Sequence, residues 1–274
     1  MTYRRTKIVT GILITAVMAV TAPLAAQQRG WGQTGQGCSQ ALVNQFDQLE
    51  PAIVTSAEVH ELQYLREEEK LARDVYLTLS ERWQLPIFFN IAGAEQRHMD
   101  SLLMVLDAYE IPDPVADDAV GAFANPELAS LYTDLVARGE QSLVDALLVG
   151  ATIEDLDLAD LYDLLAITDN SRIRLVAQNL AKGSRNHLRG FVTALVAQGG
   201  TYAPEFLDVD TYDAIVDSAW ETGVVYDSNG DVLATCGRGG SRGRGIRGSG
   251  QRNGGQGSGT CTSPADEHGR IPLD

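Results

Sequence analysis

The sequence predicts an all-α protein built around a bundle of four long helices. Four segments of about 25 residues place apolar side chains every three or four positions, the period of one face of a helix. The links within the first two and within the last two segments are short, whereas the link between the pairs is long. We therefore expect two antiparallel hairpins joined by a long crossover, flanked by a signal peptide and a Gly/Arg-rich C-terminal tail.

The N-terminal segment 1–26 has the pattern of a secretory signal peptide. Three basic residues precede an apolar run from Ile8 to Ala22, and small residues allow cleavage after Ala26. The alternative is a membrane anchor, but the run is short for a span and no basic stop follows. The protein is therefore expected to be secreted or periplasmic. Residues 27–55 are expected to form a flexible leader with a short turn or helix around 41–49.

The first pair of long helices is predicted at 57–82 and 87–110, with Ser56 as the N-cap. The inward face of each helix is apolar at both ends and ionisable in its middle. The two faces comprise Leu62, Leu65, Glu69, Ala72, Tyr76 and Leu79, and then Ile91, Glu95, His98, Leu102, Val105 and Tyr109. Glu67 and Glu68 fall off this stripe and are expected to face solvent.

The second pair repeats the design after a loop at 111–125 and a short helix at 126–138. Its helices are predicted from Ser142 to Ile167 and from the cap-like segment 168–171 to about Gly199. Their inward faces comprise Leu143, Leu147, Gly150, Glu154, Asp157, Leu161 and Leu164, and then Ile173, Ala177, Leu180, Ser184, His187, Phe191 and Ala194. The helical domain is thus predicted to occupy residues 56–205.

Beyond the bundle, residues 206–235 are predicted to form a short helix at about 209–219 and a hairpin that turns at Asn229-Gly230. Residues 236–274 are dominated by Gly, Ser and Arg and are expected to be disordered, because they cannot bury a core. The tail arginines are candidates for contact with an envelope partner or a polyanion, and a solvated linker is the alternative.

Net charge limits the classes of binding partner, and the cysteines predict a disulfide. The net charge is −16, and removal of the three signal-peptide bases takes it to −19, which argues against nucleic-acid or anionic-membrane partners. No span is expected in the mature chain, and a homodimer remains open. In an oxidising compartment two of Cys38, Cys236 and Cys261 are expected to pair, and the sequence leaves all three pairings open.

The polar groups in the middle of the four stripes are the candidate site. They are Glu69, Glu95, His98, Glu154, Asp157 and His187. A plain core would use Leu or Ala there, and four carboxylates in a dry interior repel one another unless cations neutralise them. Two divalent ions would balance the charge. Carboxylate and imidazole ligands favour iron, with manganese or zinc as alternatives.

The segment from Glu69 to Tyr76 resembles the first-helix motif of rubrerythrins and bacterioferritins, in which a ligand Glu precedes a Tyr by seven. Residues 58–205 resemble the bacterial family DUF2202, grouped with ferritin-like proteins, most closely at 94–98 and 183–191. The resemblance implies a ferritin-like fold with a carboxylate/histidine site. Its ligands would be Glu69, a bridging Glu95, His98, Glu154 and His187.

One position departs from that pattern, because Ser184 stands where the second bridging carboxylate is expected. Asp157, one turn from Glu154, is the candidate replacement; otherwise the site holds one metal, or two asymmetrically. The expected function is an oxidoreductase that acts with dioxygen or peroxide, or in iron oxidation. The alternatives are a non-enzymatic structural or metal-binding module attached to an envelope partner, and a hydrolase that uses metal-bound water.

Overall fold

The computed structural model describes residues 34–236, with side chains from residue 37 onward. The predicted signal peptide, Cys261 and the tail beyond residue 236 lie outside the described residues. Within them the protein is mostly helical, as predicted, and a two-stranded hairpin follows the last helix. The elements are α1 (Thr34–Gln48), α2 (Ser56–Trp83), α3 (Pro86–Ala108), α4 (Pro126–Gly139), α5 (Leu143–Ile167), α6 (Ser171–Ala197), α7 (Val209–Val216), β1 (Val224–Tyr226) and β2 (Val232–Thr235).

The ends of the long helices fall within about two residues of their predicted positions, because capping residues define them. The N-cap of α2 is Thr55, one residue before the predicted Ser56. The Thr55 side chain accepts a hydrogen bond from the Glu58 amide at 3.2 Å, and the Glu58 carboxylate accepts one from the Thr55 amide at 2.7 Å. This reciprocal capping box satisfies two amides that a helix start leaves open.

The four long helices pack as two neighbouring pairs. α2 lies along α3, and α5 lies along α6; the pairs meet where α2 contacts α5 and α3 contacts α6. The short helix α4 covers α2 and α5. The core runs between the four helices, so the middle of each inward stripe faces the middle of the other three.

Buried charged residues of α2 hold the long crossover between the pairs in place through hydrogen bonds. Glu67 and Glu68, which were expected to face solvent, are buried instead. The Glu67 carboxylate accepts hydrogen bonds from the amides of Ala124 and Asn125 at 2.6–3.2 Å. The outward prediction was wrong because the crossover and α4 cover the side of α2 that a free helix would expose to water.

A buried ion pair extends the same connection. Lys70 lies 2.5 Å from Asp74, and both side chains are fully buried. Lys70 also donates to the carbonyl of Ala119 at 2.8 Å, and Asp74 accepts from the amide of Gly121 at 3.0 Å. A buried pair of this kind is tolerated only when further hydrogen bonds satisfy both groups, and the crossover supplies them here.

The flanking elements pack on α6. The helix α7 contacts α6, and α1 contacts both α6 and the hairpin. α1 begins at Thr34, earlier than the helix expected around 41–49. The hairpin turns at Gly230, which has a φ of 83°, as the Asn-Gly signal predicts. None of the helices between residues 34 and 236 is both long and apolar enough to cross a membrane.

Candidate metal centre

The first half of the candidate metal centre comes from α2 and α3. The His98 Nδ1 atom lies 3.1 Å from Glu69 Oε2 and 2.8 Å from Glu95 Oε2. Glu95 and His98 are three residues apart on α3, so both project from one face toward Glu69 on α2. Both carboxylates are buried, and the imidazole is 11% exposed.

The second half comes from α5 and α6 and uses the same Glu95. The His187 Nδ1 atom lies 2.8 Å from Glu95 Oε1 and 3.4 Å from Glu154 Oε2. Glu95 therefore faces one histidine with each of its two oxygens. The His98 and His187 rings stack, with centroids 5.4 Å apart and planes 27° apart. The donor atoms form two overlapping groups, Glu69–Glu95–His98 and Glu95–Glu154–His187, each within 4.8 Å.

Asp157, on α5, lies near the carboxylates of the two donor groups. Its Oδ2 accepts a hydrogen bond from the Ser184 hydroxyl, and its Oδ1 is buried with no hydrogen-bond partner in the part of the chain that the structure describes. Ser184 precedes His187 by three residues on α6, just as Glu95 precedes His98 on α3. A carboxylate from α5 is thus held against the position at which α6 lacks one.

Tyr76 closes the deep end of the centre. Its hydroxyl donates a hydrogen bond to Glu154 Oε1 at 2.6 Å and lies 3.4 Å from the carbonyl of Gly150. The Tyr76 ring packs on Phe191 with centroids 5.1 Å apart, and Phe88 lies 5.7 Å from Phe191. The hydroxyl of Tyr76 thus orients Glu154, and its ring is held in the core by the two phenylalanines.

Gly183 makes room for His98. A Cβ atom at this position would lie 2.3 Å from His98 Nε2, closer than two unbonded atoms can approach. Gly150 has the same role for Phe191, whose ring would lie 2.4 Å from an added Cβ. Two glycines inside long helices, each costly for helix stability, therefore lie against the candidate centre.

The charges of the cluster perturb one another strongly. Burial raises the pKa of Glu69 and that of Glu154 to about 7. Burial also disfavours ionised Glu95, but His187 and His98 outweigh it and hold the pKa of Glu95 well below its usual range. For Asp157, burial and then the charge of Glu69 raise the pKa well above its usual value.

The pKa values of the two histidines are also raised. Burial disfavours the imidazolium form, but Glu95 and then Glu154 outweigh it and raise the pKa of His187 to about 10. Glu69 and then Glu95 likewise raise the pKa of His98 well above its usual value. Without a metal, the protons on the two histidines therefore offset part of the negative charge of the carboxylates. A bound cation would replace these protons.

The structure brings together the side chains that the stripes placed at one depth. Glu69, Glu95, His98, Glu154 and His187 form the two donor groups, and Asp157 lies beside them, bonded to Ser184. The sequence reasoning missed Gly183 as part of the site. A glycine within a predicted helix, facing the stripe of another helix, is the signal that could have revealed it.

Comparisons with known proteins find matches to the part of the chain that contains the candidate centre. Residues 58–219 match DUF2202, which is described as an uncharacterized protein domain. A protein of Methanocaldococcus jannaschii, the uncharacterized protein MJ0754, is 53% identical over 160 residues, which cover 58% of this chain and 86% of that protein. The crystal structure of the hypothetical protein MJ0754 aligns with a TM-score of 0.62 at 50% identity, covering 63% of this chain and 99% of that chain.

Proposed function

The chain belongs to the DUF2202 family of uncharacterized domains, and from that premise we propose that residues 56–205 form a ferritin-like four-helix bundle that binds metal. The metal is iron, as one or two ions, with manganese or zinc as alternatives. The ligands are Glu69, Glu95, His98, Glu154 and His187, with Asp157 as the second bridging carboxylate. Pairing of α2 with α3 and of α5 with α6, joined by the long crossover, supports this bundle.

One observation carries the proposal: several buried polar atoms of the cluster have no hydrogen-bond partner within residues 37–236. His187 Nδ1 lies 2.8 Å from Glu95 Oε1, yet neither atom has a hydrogen-bond partner within residues 37–236. Glu69 Oε1 and Asp157 Oδ1 are also buried without a hydrogen-bond partner among these residues. An unpartnered buried oxygen such as Glu69 Oε1 or Asp157 Oδ1 costs about 1–3 kcal/mol in a folded interior. Buried donor atoms that lie within 4.8 Å of one another are arranged as the ligands of an ion would be.

The donor set limits the kind of ion. Imidazole nitrogen together with carboxylate oxygen suits iron, manganese and zinc, whereas calcium and magnesium prefer oxygen ligands alone. Two divalent ions would balance the charge of Glu69, Glu95, Glu154 and Asp157, with both histidines neutral. Glu95 supports two ions rather than one, because its oxygens face different histidines.

The activity we propose is oxidation by dioxygen or peroxide, including oxidation of ferrous iron itself. Iron bound here supplies one-electron chemistry toward such oxidants. The residues of the chain hold and shield the site: Glu95 joins its halves, and Tyr76 fixes Glu154. The two imidazoles are its most exposed members, at 11% each, so a small oxidant would approach beside them.

The metal content of the purified protein tests this proposal. Protein from iron-supplied cells is measured by inductively coupled plasma mass spectrometry, beside a Glu95→Ala/His98→Ala variant. The matched control is Asp107→Asn, which removes an exposed carboxylate from the same helix. We expect one or two ions per chain in the wild type and the control, and a loss of most of this metal in the double variant.

The same preparations distinguish an enzyme from a structural module. Wild type and control should consume dioxygen or peroxide when ferrous iron is added, and the double variant should do so at the rate of iron alone. Zinc in place of iron, without oxidant consumption, would reject the oxidoreductase and retain the metal site. No metal in the wild type would reject both and leave a structural helical module.

A further inference from the structure

The two ends of the described chain meet at a pair of cysteines. Cys236 follows β2 and is buried in the core, and Cys38, near the start of α1, packs against that core. A Cβ atom at Gly37 would lie 3.9 Å from the Cβ of Cys236. Cys38 is the next residue after Gly37 on α1, so the two cysteines, both free thiols in the structure, lie in the same neighbourhood.

The hairpin and α6 fix this meeting point. The Cys236 amide donates to the carbonyl of Gly223 at 2.6 Å, which holds the end of β2 against the start of β1. The Lys182 Nζ atom donates to the carbonyl of Val224, one residue further on, at 2.9 Å. Cys236 is therefore held by its backbone beside α6, and α1 contacts α6 and both strands.

Lys182 brings a positive charge near both thiols. Burial lowers the pKa of Lys182, and the charges that Cys38 and Cys236 carry as thiolates oppose that shift. A thiolate is the form that attacks a disulfide in thiol–disulfide exchange.

We propose that Cys38 and Cys236 form an intramolecular disulfide that fastens α1 to the end of the hairpin. In the reaction, one thiolate attacks a small-molecule or protein disulfide, RS–SR, and releases RS⁻. The second thiolate attacks the resulting mixed disulfide and releases another RS⁻. One S–S bond forms in the protein and one breaks in the oxidant, which is reduced to two thiols; the two thiol protons pass to the leaving thiolates.

This bond would use none of the candidate metal ligands. It would close a loop that contains all of α2 to α7, between Cys38 and Cys236. Cross-links that close long loops constrain the unfolded chain most, so the oxidised form should be the more stable one. Cys261, which lies outside the described residues, would then be the cysteine that remains unpaired.

Peptide mapping of the full chain tests the pairing without any change in the core. The protein is incubated with oxidised glutathione, remaining thiols are alkylated, and a nonreduced digest is analysed by mass spectrometry. We expect a cross-linked peptide pair containing Cys38 and Cys236, the same in the wild type and in Cys261→Ser. Reaction of all three thiols with the alkylating agent after oxidation, or a cross-link through Cys261, would overturn the proposal.

Thermal unfolding gives a second readout. Reduction should lower the melting temperature of the oxidised wild type and of Cys261→Ser by about 5–10 °C. Cys38→Ser changes a partly exposed position near the start of α1 and should melt at one temperature with or without reductant. An equal effect of reductant on Cys38→Ser and on the wild type would contradict a Cys38–Cys236 bond.

Discussion

Ser184 donates a hydrogen bond to Asp157, at the position where α6 lacks the counterpart of Glu95. The contact pairs a small hydroxyl on one helix with a carboxylate from its neighbour, so the carboxylate reaches the centre from α5 instead of α6. The motif Glu-x-x-His on α3 and the motif Ser-x-x-His on α6 are therefore equivalent in position and different in donor.

Asp157→Asn tests whether this carboxylate is a ligand. The substitution keeps the size of the side chain and an acceptor for Ser184 but removes the negative charge. We expect metal content to fall by about half or more, since loss of one bridging carboxylate weakens one of two ions. Asp163→Asn, an exposed change on the same helix, should bind metal as the wild type does. Unchanged metal in Asp157→Asn would remove Asp157 from the ligand set.

Gly183→Ala should displace His98, because the added Cβ would lie 2.3 Å from its Nε2. Overpacking of this kind costs about 1–3 kcal/mol, and the better helix propensity of Ala offsets about 0.5–1 kcal/mol of it. Chemical denaturation of the metal-free protein measures the net loss, and metal content should fall in parallel.

Gly93→Ala is the matched control for that substitution. An added Cβ at Gly93 meets nothing within 4 Å, although the residue also lies inside a long helix. We expect it to stabilise the protein by about 0.5–1 kcal/mol and to leave metal content unchanged. Equal behaviour of the two glycine variants would show that Gly183 does not govern the place of His98.

Tyr76→Phe removes the hydrogen bond to Glu154 and keeps the ring that packs on Phe191. Glu154 then loses a buried donor, at a cost of about 1–3 kcal/mol in the free energy of unfolding of the metal-free protein. Metal affinity should fall roughly tenfold or more, as expected when the orientation of a ligand is lost.

Tyr132→Phe controls for the loss of a tyrosine hydroxyl, because Tyr132 bonds Thr78 away from the centre. Its metal affinity, measured by competition with a chelating dye, should equal that of the wild type. A Tyr76→Phe protein with wild-type affinity would mean that Tyr76 serves only the core.

Glu221 provides a pH-dependent contribution to stability away from the metal centre. Burial disfavours its ionised form, but hydrogen bonds from Arg185, Tyr226 and Arg189 outweigh burial and hold the pKa of Glu221 below its usual value. The folded state therefore binds fewer protons than the unfolded state. The contribution is fully present above the unfolded pKa of about 4.3 and is lost as pH falls through the folded pKa.

We therefore expect Glu221→Gln to unfold more easily than the wild type at pH 7, by about 1.5–3 kcal/mol, and the difference to shrink below about pH 4.3. Urea denaturation across this range measures it. Glu205→Gln, an exposed change, should follow the wild-type curve. A difference between wild type and Glu221→Gln that stays constant with pH would contradict the linkage.

The helical period was sufficient to predict the depth of the candidate site. Glu69, Glu95, His98, Glu154 and His187 share a level because each holds a stripe position in a helix whose ends the caps define. The period could not reveal that Glu67 and Glu68 are buried, and the partners of Glu67 lie in a crossover more than 40 residues away in sequence. The Ser184–Asp157 bond and the close approach of Gly183 to His98 likewise depend on how neighbouring helices rotate and approach, which periodicity does not specify.

Glu95 has a consequence for how the proposed centre would fill. Each of its oxygens serves a different histidine, so the halves share one anionic group and are not independent. An ion drawn to one half polarises the group that the other half needs, and the second ion meets a less negative cavity. Loading would then proceed in two unequal steps, and a titration would depart from the curve of identical, independent sites.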